Sequence, residues 1–526
     1  MLKQLQLKDL FIGKIDAKNE IIENSIKEKE RFQDSYLIPD NIFLDSYYRG
    51  IKYIISGLKG TGKTALLQYL ALSAEKEFYA NTSFILFKSE FTEDDKKDFS
   101  RAINTTFADK AELSSIDEDF VDIWEWFFHR HLVKMISKTS PFIDNQDFEK
   151  YKSCVLAPKI DNDESGISRF LPKLKRGNVE LEGDFEFLKG KLGLDFEWIN
   201  KGKKQVKFSS IVKQADELFK KMKPSKARFY IFIDELELTL GKQKQYDKDI
   251  RLIRDLLIAI SKINNLCRKN GYPIFFLTAI RSEVLTSISA SGKELNKIVS
   301  DFGVTLNWHQ AGGSIYNHPL LKIINKKIQA SEKDLDMEIT ESIQELWEKY
   351  FTKNYQNKPI HEYILHQTWY RPRDIVRMLS IAQQQFPYET KFSHTVFDAI
   401  RKEYSVQSWV EHAEELRAKH TEEEIEGIKK LFYGTECPFT LHEITMVSDQ
   451  KRKMYTEVDN LLEKYRLGDI LSILYKIGII GNTGERVRYA FRGDDDILLD
   501  KKMKIHDPLW NFLSIEYNDN NIESNK

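Results

Sequence analysis

The sequence predicts an α/β fold, a parallel sheet covered by helices, on three observations. A short apolar run, KYIIS at 52–56, passes straight into a glycine-rich turn and then into helical periodicity over TALLQYLALSAEK at 64–76. Four more apolar runs have the length of buried strands: SFILF at 83–87, FYIFI at 229–233, PIFFLTAI at 273–280 and GVTLNW at 303–308. Helical patterns, the long KDIRLIRDLLIAISKINNLCRKN at 248–270 among them, separate several of these runs. Strands interleaved with helices pair in parallel through crossover connections.

A chain of 526 residues exceeds what one core can organise, so two or three domains are expected. Lys and Arg number 80 against 81 Asp and Glu, so net charge neither demands nor excludes nucleic acid, and any basic surface is local. Cys154, Cys267 and Cys437 lie far apart with no CxxC spacing, which argues against a disulfide framework or a zinc site and fits a reducing cytoplasm. MLKQLQLKDLF lacks the apolar centre of a signal peptide, and no apolar run approaches the ~18 residues of a spanning helix. A cytoplasmic protein with no membrane partner is expected.

The organisation reads as a helical N-terminal segment over 1–51, with IDAKNEIIENSIKEKERF at 15–32 helical, then a core over 52–312. Within the core, about 100–210 does not resolve into strand–helix units. It is rich in aromatic residues (Trp124, Trp126, Phe127, Phe128, Trp198), and the glycine punctuation of 174–198 has the look of β-hairpins. An insertion of this size must fold on itself or against a partner, and an aromatic cluster is more often core than binding surface. Residues 313–410 read as all helix, 421–515 as helices followed by a hairpin whose turn NTGE separates two β-rich arms, and 516–526 as a polar, disordered tail.

Gly57-Leu58-Lys59-Gly60-Thr61-Gly62-Lys63-Thr64 fits GxxxxGK[ST] at every fixed position, with a strand before it and a helix, opened by Ala65, behind it. Glycines let backbone N–H groups converge on phosphate oxygens, and the helix N-terminus adds positive partial charge. In this reading Lys63 bridges the terminal phosphates and Thr64 ligates Mg²⁺. Residues 57–65 form the expected triphosphate contacts.

FYIFI ends in Asp234-Glu235, two carboxylates where a buried strand meets solvent. Asp234 is placed to hold the magnesium and Glu235 to orient a water against the terminal phosphate; the alternative is a solvated acidic turn. The next strand is read as ending at Thr278 with Arg281 close behind, both within reach of the attacking water, against the blander reading of a strand end with a capping threonine. In TWYRPRDIVRML at 368–379, Pro372 suits a first helical turn, and Arg371 and Arg373 are candidates for a phosphate clamp, against a solvated basic helix start.

With these elements in order, the chain resembles the AAA+/STAND group of P-loop ATPases. The nearest likeness is to members with an "FG-x-x-D-A-x-x-E"-like start (here FIGKIDAKNE at 11–20), a KG-x-GK[ST] loop, a DE pair, an RPRD motif and a C-terminal winged helix. The resemblance implies a parallel five-stranded sheet in 5-1-4-3-2 order, a helical lid, and ATP with Mg²⁺ between them. By position it implies Lys63 and Thr64 as Walker A, Asp234 and Glu235 as Walker B, Thr278 as first sensor and Arg373 as second. Asp16 and Glu20 match the opening motif without an assigned role.

Three functions remain open on sequence. The first is an ATP-hydrolysing switch that forms homo-oligomers and controls a protein partner or effector, as relatives do in defence against phage; Arg251, Arg254 and Arg268 are possible arginine-finger donors. The second is a DNA-handling ATPase acting through the winged helix, although LGDILSILYKIG at 467–478 offers little to read DNA; Arg486, Arg488, Arg492 and the KRK at 451–453 are the basic residues there. The third is a small-molecule phosphotransferase.

Overall fold

The computed structural model describes residues 4–87, 120–137, 145–158, 174–175, 178–181, 198–200, 205–223, 226–236, 243–289, 295–309, 317–417, 419–494 and 496–517. The chain divides into two compact units: 40–59 with 63–306, and 1–39 with 60–62 and 307–526. Among the described residues, no helix is long and apolar enough to cross a membrane.

The first unit is built on a five-stranded parallel sheet: β1 (Ile54–Gly57), β2 (Asn81–Leu86), β3 (Phe229–Leu236), β4 (Ile274–Arg281) and β5 (Gly303–Thr305). Its spatial order is β2-β3-β4-β1-β5. β3 and β4 are interior strands, and their almost unbroken apolar runs are buried along their length, as a sheet covered on both faces requires. Helix α1 (Lys63–Phe78) buries Leu66, Leu67, Leu70 and Ala74, one helical face.

Trp124, Trp126, Phe127 and Phe128 of the presumed insertion are core. Helix α2 (Val121–Ile136) buries Trp124, Trp126, Phe127 and Phe128, and Phe128 lies 4.7 Å, ring to ring, from Phe276 of β4. Helix α3 (Gln243–Lys269) is tied to the same layer, because the Trp124 indole donates to the Leu252 carbonyl at 3.0 Å and the Phe120 amide to Asp255 at 2.9 Å. Of the hairpins expected in 174–198, the described residues contain one, Leu174–Lys175 with Asn178–Glu180, in a small antiparallel sheet that Gln205–Lys207 and Trp198–Asn200 complete; 182–197 lie outside the described residues.

The second unit is mainly helical, with α4 (Pro319–Asp334), α5 (Pro372–Gln385), α6 (His394–Leu416), α7 (Glu422–Phe432), α8 (Leu441–Met454), α9 (Thr456–Lys464) and α10 (Leu467–Lys476) among its elements. A short antiparallel pair at Asn354–Tyr355 and Lys358–Pro359 interrupts the stretch expected to be all helix. Leu5, Leu7, Leu10 and Ile12 pack into the core formed by α4, α5 and α6. The expected N-terminal helix is shorter than its pattern, forming only over Ile26–Ser35 with Ser25 as N-cap.

The C-terminal hairpin also differs from expectation. β6 (Ile480–Asn482) pairs antiparallel with β7 (Met503–Ile505), while the predicted second arm closes in a 3₁₀ turn at Ala490–Arg492. Asn482 decides this. Its backbone pairs with Arg488, while its side chain donates to the Leu498 carbonyl at 2.8 Å and accepts the Leu498 amide at 2.9 Å, which draws in the later segment. Of the tail expected at 516–526, Glu516–Tyr517 form a short strand paired in parallel with Glu436–Cys437, and 518–526 lie outside the described residues.

Glu332 of α4 is a fully buried hub, accepting from Thr340 through both amide and hydroxyl, from Lys349 at 2.7 Å and from Tyr350 at 3.0 Å. Burial alone pushes its carboxyl up, but these donors outweigh it and hold the group below the ordinary glutamate value. A carboxyl depressed on folding stabilises above its unfolded value and loses that contribution as pH falls through the folded one. Glu332→Gln is therefore expected to cost roughly 2–3 kcal/mol at neutral pH. Urea midpoints of wild type and variant should converge on acidification, and a pH-independent gap would refute the charge-based account.

Candidate functional site

The glycine turn joins β1 to α1. Gly60 and Gly62 have φ of +83° and +91°, left-handed values that disfavour any side chain. Gly60 is further constrained, since a Cβ there would meet the Arg373 Cβ at 3.2 Å. The Lys63 ammonium folds over the start of the turn and donates to the carbonyls of Gly57 and Leu58, both at 2.9 Å. Leu58 is 40% exposed, while Gly57 and Thr61 are buried.

Thr64, in the first turn of α1, donates to Asp234 at 2.7 Å, across a strand order that places β4 between their two strands. The second Asp234 oxygen accepts the Glu235 amide at 2.8 Å. Register explains how this end of β3 is shaped. Ile233 pairs with Thr278 and Leu236 with Ile280, so Asp234 and Glu235 stand opposite the single residue Ala279. This is a β-bulge, with Glu235 in the left-handed region at φ +61°. A non-glycine residue held there costs free energy that the surrounding sheet must over-determine, and such residues cluster at functional sites.

Asp234 is 5% exposed. Burial pushes its carboxyl above the ordinary aspartate value, and the neighbouring Glu235 adds to this. The Thr64 hydroxyl, the Glu235 amide and Lys63 pull the other way without cancelling it. A cation beside this carboxylate would favour its charged form. A hydroxyl and a carboxylate oxygen side by side are the hard donors magnesium takes from a protein when phosphates and waters supply the rest.

Thr278 is corrected by the sheet. β4 does not stop there but runs on to Arg281, because Ala279, Ile280 and Arg281 continue pairing with Ile55, Ser56 and Gly57. Thr278 is consequently inside the sheet, with no exposed surface and its hydroxyl without a hydrogen-bond partner. Arg281 stands level with Gly57, where the turn begins, and is the polar residue at the strand's end. Thr278→Val is expected to leave turnover within about twofold and to keep or raise stability, since the substitution removes an unpaired buried hydroxyl. If the site turns over a phosphate ester, Arg281→Ala should slow it about tenfold or more, the cost of a lost charge-assisted contact. A slow Thr278→Val variant beside a normal Arg281→Ala variant would reverse the two roles.

The three arginines of the RPRD helix have different fates, and Asp374 sorts them. Arg371 sets its fork on Asp374 with two bonds of 3.1 Å and reaches Glu415 at 3.5 Å, fully buried. Arg377 pairs with Asp374 and Glu411. The Arg371 guanidinium is thus engaged by the carboxylates of Asp374 and Glu415, while its Cδ stays close to Gly60. Arg373, the first residue after Pro372 at N1, instead lies beside the glycine turn, its amide 3.4 Å from the Gly60 carbonyl and its side chain on Glu411 and the Ile15 carbonyl. Asp16 caps a short 3₁₀ turn and pairs with Lys18 at 3.5 Å, and Glu20 receives the Lys14 amide and pairs with Lys327 near Gly13. Of the three finger candidates, Arg254 is excluded, being 1% exposed and paired with Asp255.

The chain is therefore a mixed α/β protein carrying a parallel five-stranded sheet and a helical C-terminal region. A family model described as the FunZ-associated C-terminal helical domain matches residues 318–411, from the N-cap of α4 into α6. The matched stretch contains the Glu332 hub and the RPRD arginines. No curated protein matches the chain.

Proposed function

We propose that the chain binds and hydrolyses a magnesium nucleoside triphosphate, ATP by its resemblance to AAA+/STAND ATPases, and uses the nucleotide state to switch a homo-oligomer that controls a protein partner. The observation that carries this reading is the Thr64–Asp234 contact of 2.7 Å, which brings the glycine turn and the acidic strand end to one place. The sheet order supports it, since reading from the β5 edge gives 5-1-4-3-2.

Each residue then has a task. The turn's N–H groups and Lys63 bind the phosphates, Thr64 and Asp234 hold the ion, and Glu235 accepts the proton of the attacking water. Bound magnesium neutralises charge that develops on the phosphate oxygens. Arg281 is the residue of the sheet assigned to sensing the terminal phosphate.

Helices α7 to α10 with β6 and β7 are read as a winged-helix module, and its basic residues favour a protein partner over DNA. Arg486 and Arg488 pair with Asp494, at 2.7 and 3.4 Å, and Arg492 lies over the rings of Tyr370, Tyr489 and Phe491. Lys451 donates to the carbonyls of Lys430 and Leu431 at the end of α7, and Arg452 pairs with Asp459. α10 turns Ile470, Leu471, Leu474 and Tyr475 into the core, leaving few groups for phosphates or bases.

Phosphate release measured against protein concentration, with and without duplex DNA and small acceptors, tests the proposal. Specific activity rising with protein concentration and indifferent to DNA is expected. Duplex stimulation would move the reading to a DNA-handling ATPase, and label on an acceptor to a phosphotransferase.

A further inference from the structure

The peptide carbonyls of a phosphate-binding turn must point away from the anion, and each then needs a partner of its own. In this chain the partners are visible. Gly57 and Leu58 are served by Lys63, and Gly60 faces the Arg373 amide. The remaining contact is the strongest by geometry: the Trp308 indole N–H donates to the Thr61 carbonyl at 2.8 Å, with Trp308 only 5% exposed. Thr61 itself is 4% exposed and stands between the two left-handed glycines.

We infer that Trp308 is a positioning residue for the triphosphate site, fixing the Thr61–Gly62 peptide so that its N–H faces the phosphates. The inference rests on the nucleotide reading above. Trp308 follows β5 by three residues and would touch no part of a ligand on the turn's inner side; it acts through the Thr61 carbonyl. Without the indole N–H, that peptide can rotate and present its oxygen to the anion, a repulsive arrangement. Because the peptide's N–H contacts the phosphates equally in the ground state and during reaction, the loss appears as weaker binding with little change in turnover.

The experiment uses the full chain and Mg-ATP and Mg-ADP as probes, with titration calorimetry for affinity and phosphate release for rate. Trp308→Phe is expected to weaken both nucleotides about tenfold and to raise KM in parallel, with kcat within about twofold of wild type. A second variant carries β-(3-benzothienyl)alanine at position 308, which keeps the bicyclic shape and replaces N–H by sulfur. It should weaken binding to the same extent even if Trp308→Phe folds poorly. Wild-type affinity in the benzothienyl variant would overturn the inference, as would a fall in kcat without a change in affinity. A folded wild type that binds neither nucleotide would instead sink the nucleotide reading on which the inference stands, so the two failures are told apart.

Discussion

Lys63→Ala is expected to reduce Mg-ATP affinity by at least about 10²-fold, the largest single effect in the molecule. The ammonium lies over the start of the turn, held by the carbonyls of Gly57 and Leu58. From there it can transfer its donors to phosphate oxygens without leaving the turn. Charge-assisted hydrogen bonds of this kind contribute about 1.5–3 kcal/mol each, and two of them give the expected loss. Among the residues of the turn, only Lys59 carries another positive side chain. The variant's thermal midpoint without nucleotide should stay close to wild type, because the lost partners are carbonyls near the surface that water can serve. Calorimetric affinity within threefold of wild type would remove the glycine turn from the site.

Glu235→Gln is expected to separate binding from chemistry. The amide keeps the size of the side chain and the bulge, so Mg-ATP affinity should remain within about threefold of wild type. Turnover should fall at least ~10²-fold, the range for loss of a positioned general base. Glu235 is suited to this role by its backbone: the left-handed φ and the bulge set it off from the regular alternation of β3, beside Asp234 and not behind it. Single-turnover phosphate release measures the rate directly, and binding of Mg-ATP under the same conditions supplies the control. Unchanged turnover would place the water-activating group elsewhere and leave the strain at Glu235 without a purpose.

How much of this could be read from the chain depended on how local the signal was. The turn from Gly57 to Thr64 was legible because each of its requirements, glycines at left-handed positions, a lysine and a hydroxyl at the helix start, lies within eight residues. The Asp234-Glu235 pair was legible from its place after an apolar run. Thr278 was misread because an apolar run does not reveal where pairing stops: Ala279 and Ile280 continue the ladder with β1 and carry the strand's end to Arg281. Asp374 stood in plain view three residues from Arg371, a spacing that matches one helical turn, and that was the available sign that Arg371 would be engaged. Trp308 gave no sign at all, since its partner Thr61 is distant in sequence.

The sequence by itself determined most of the element types, the glycine turn and the acidic strand end, because periodicity, glycine placement and adjacent charges act over a few residues. Only the tertiary structure decided which polar groups remain available. It assigned Arg371 and Arg254 to buried carboxylates, placed the aromatic residues of α2 in the core, closed the C-terminal hairpin through Asn482, and set Trp308 on the turn. The physical reason is that hydrogen-bond partners and burial belong to pairs of groups brought together by folding, and a chain read in order contains only one member of each pair at a time.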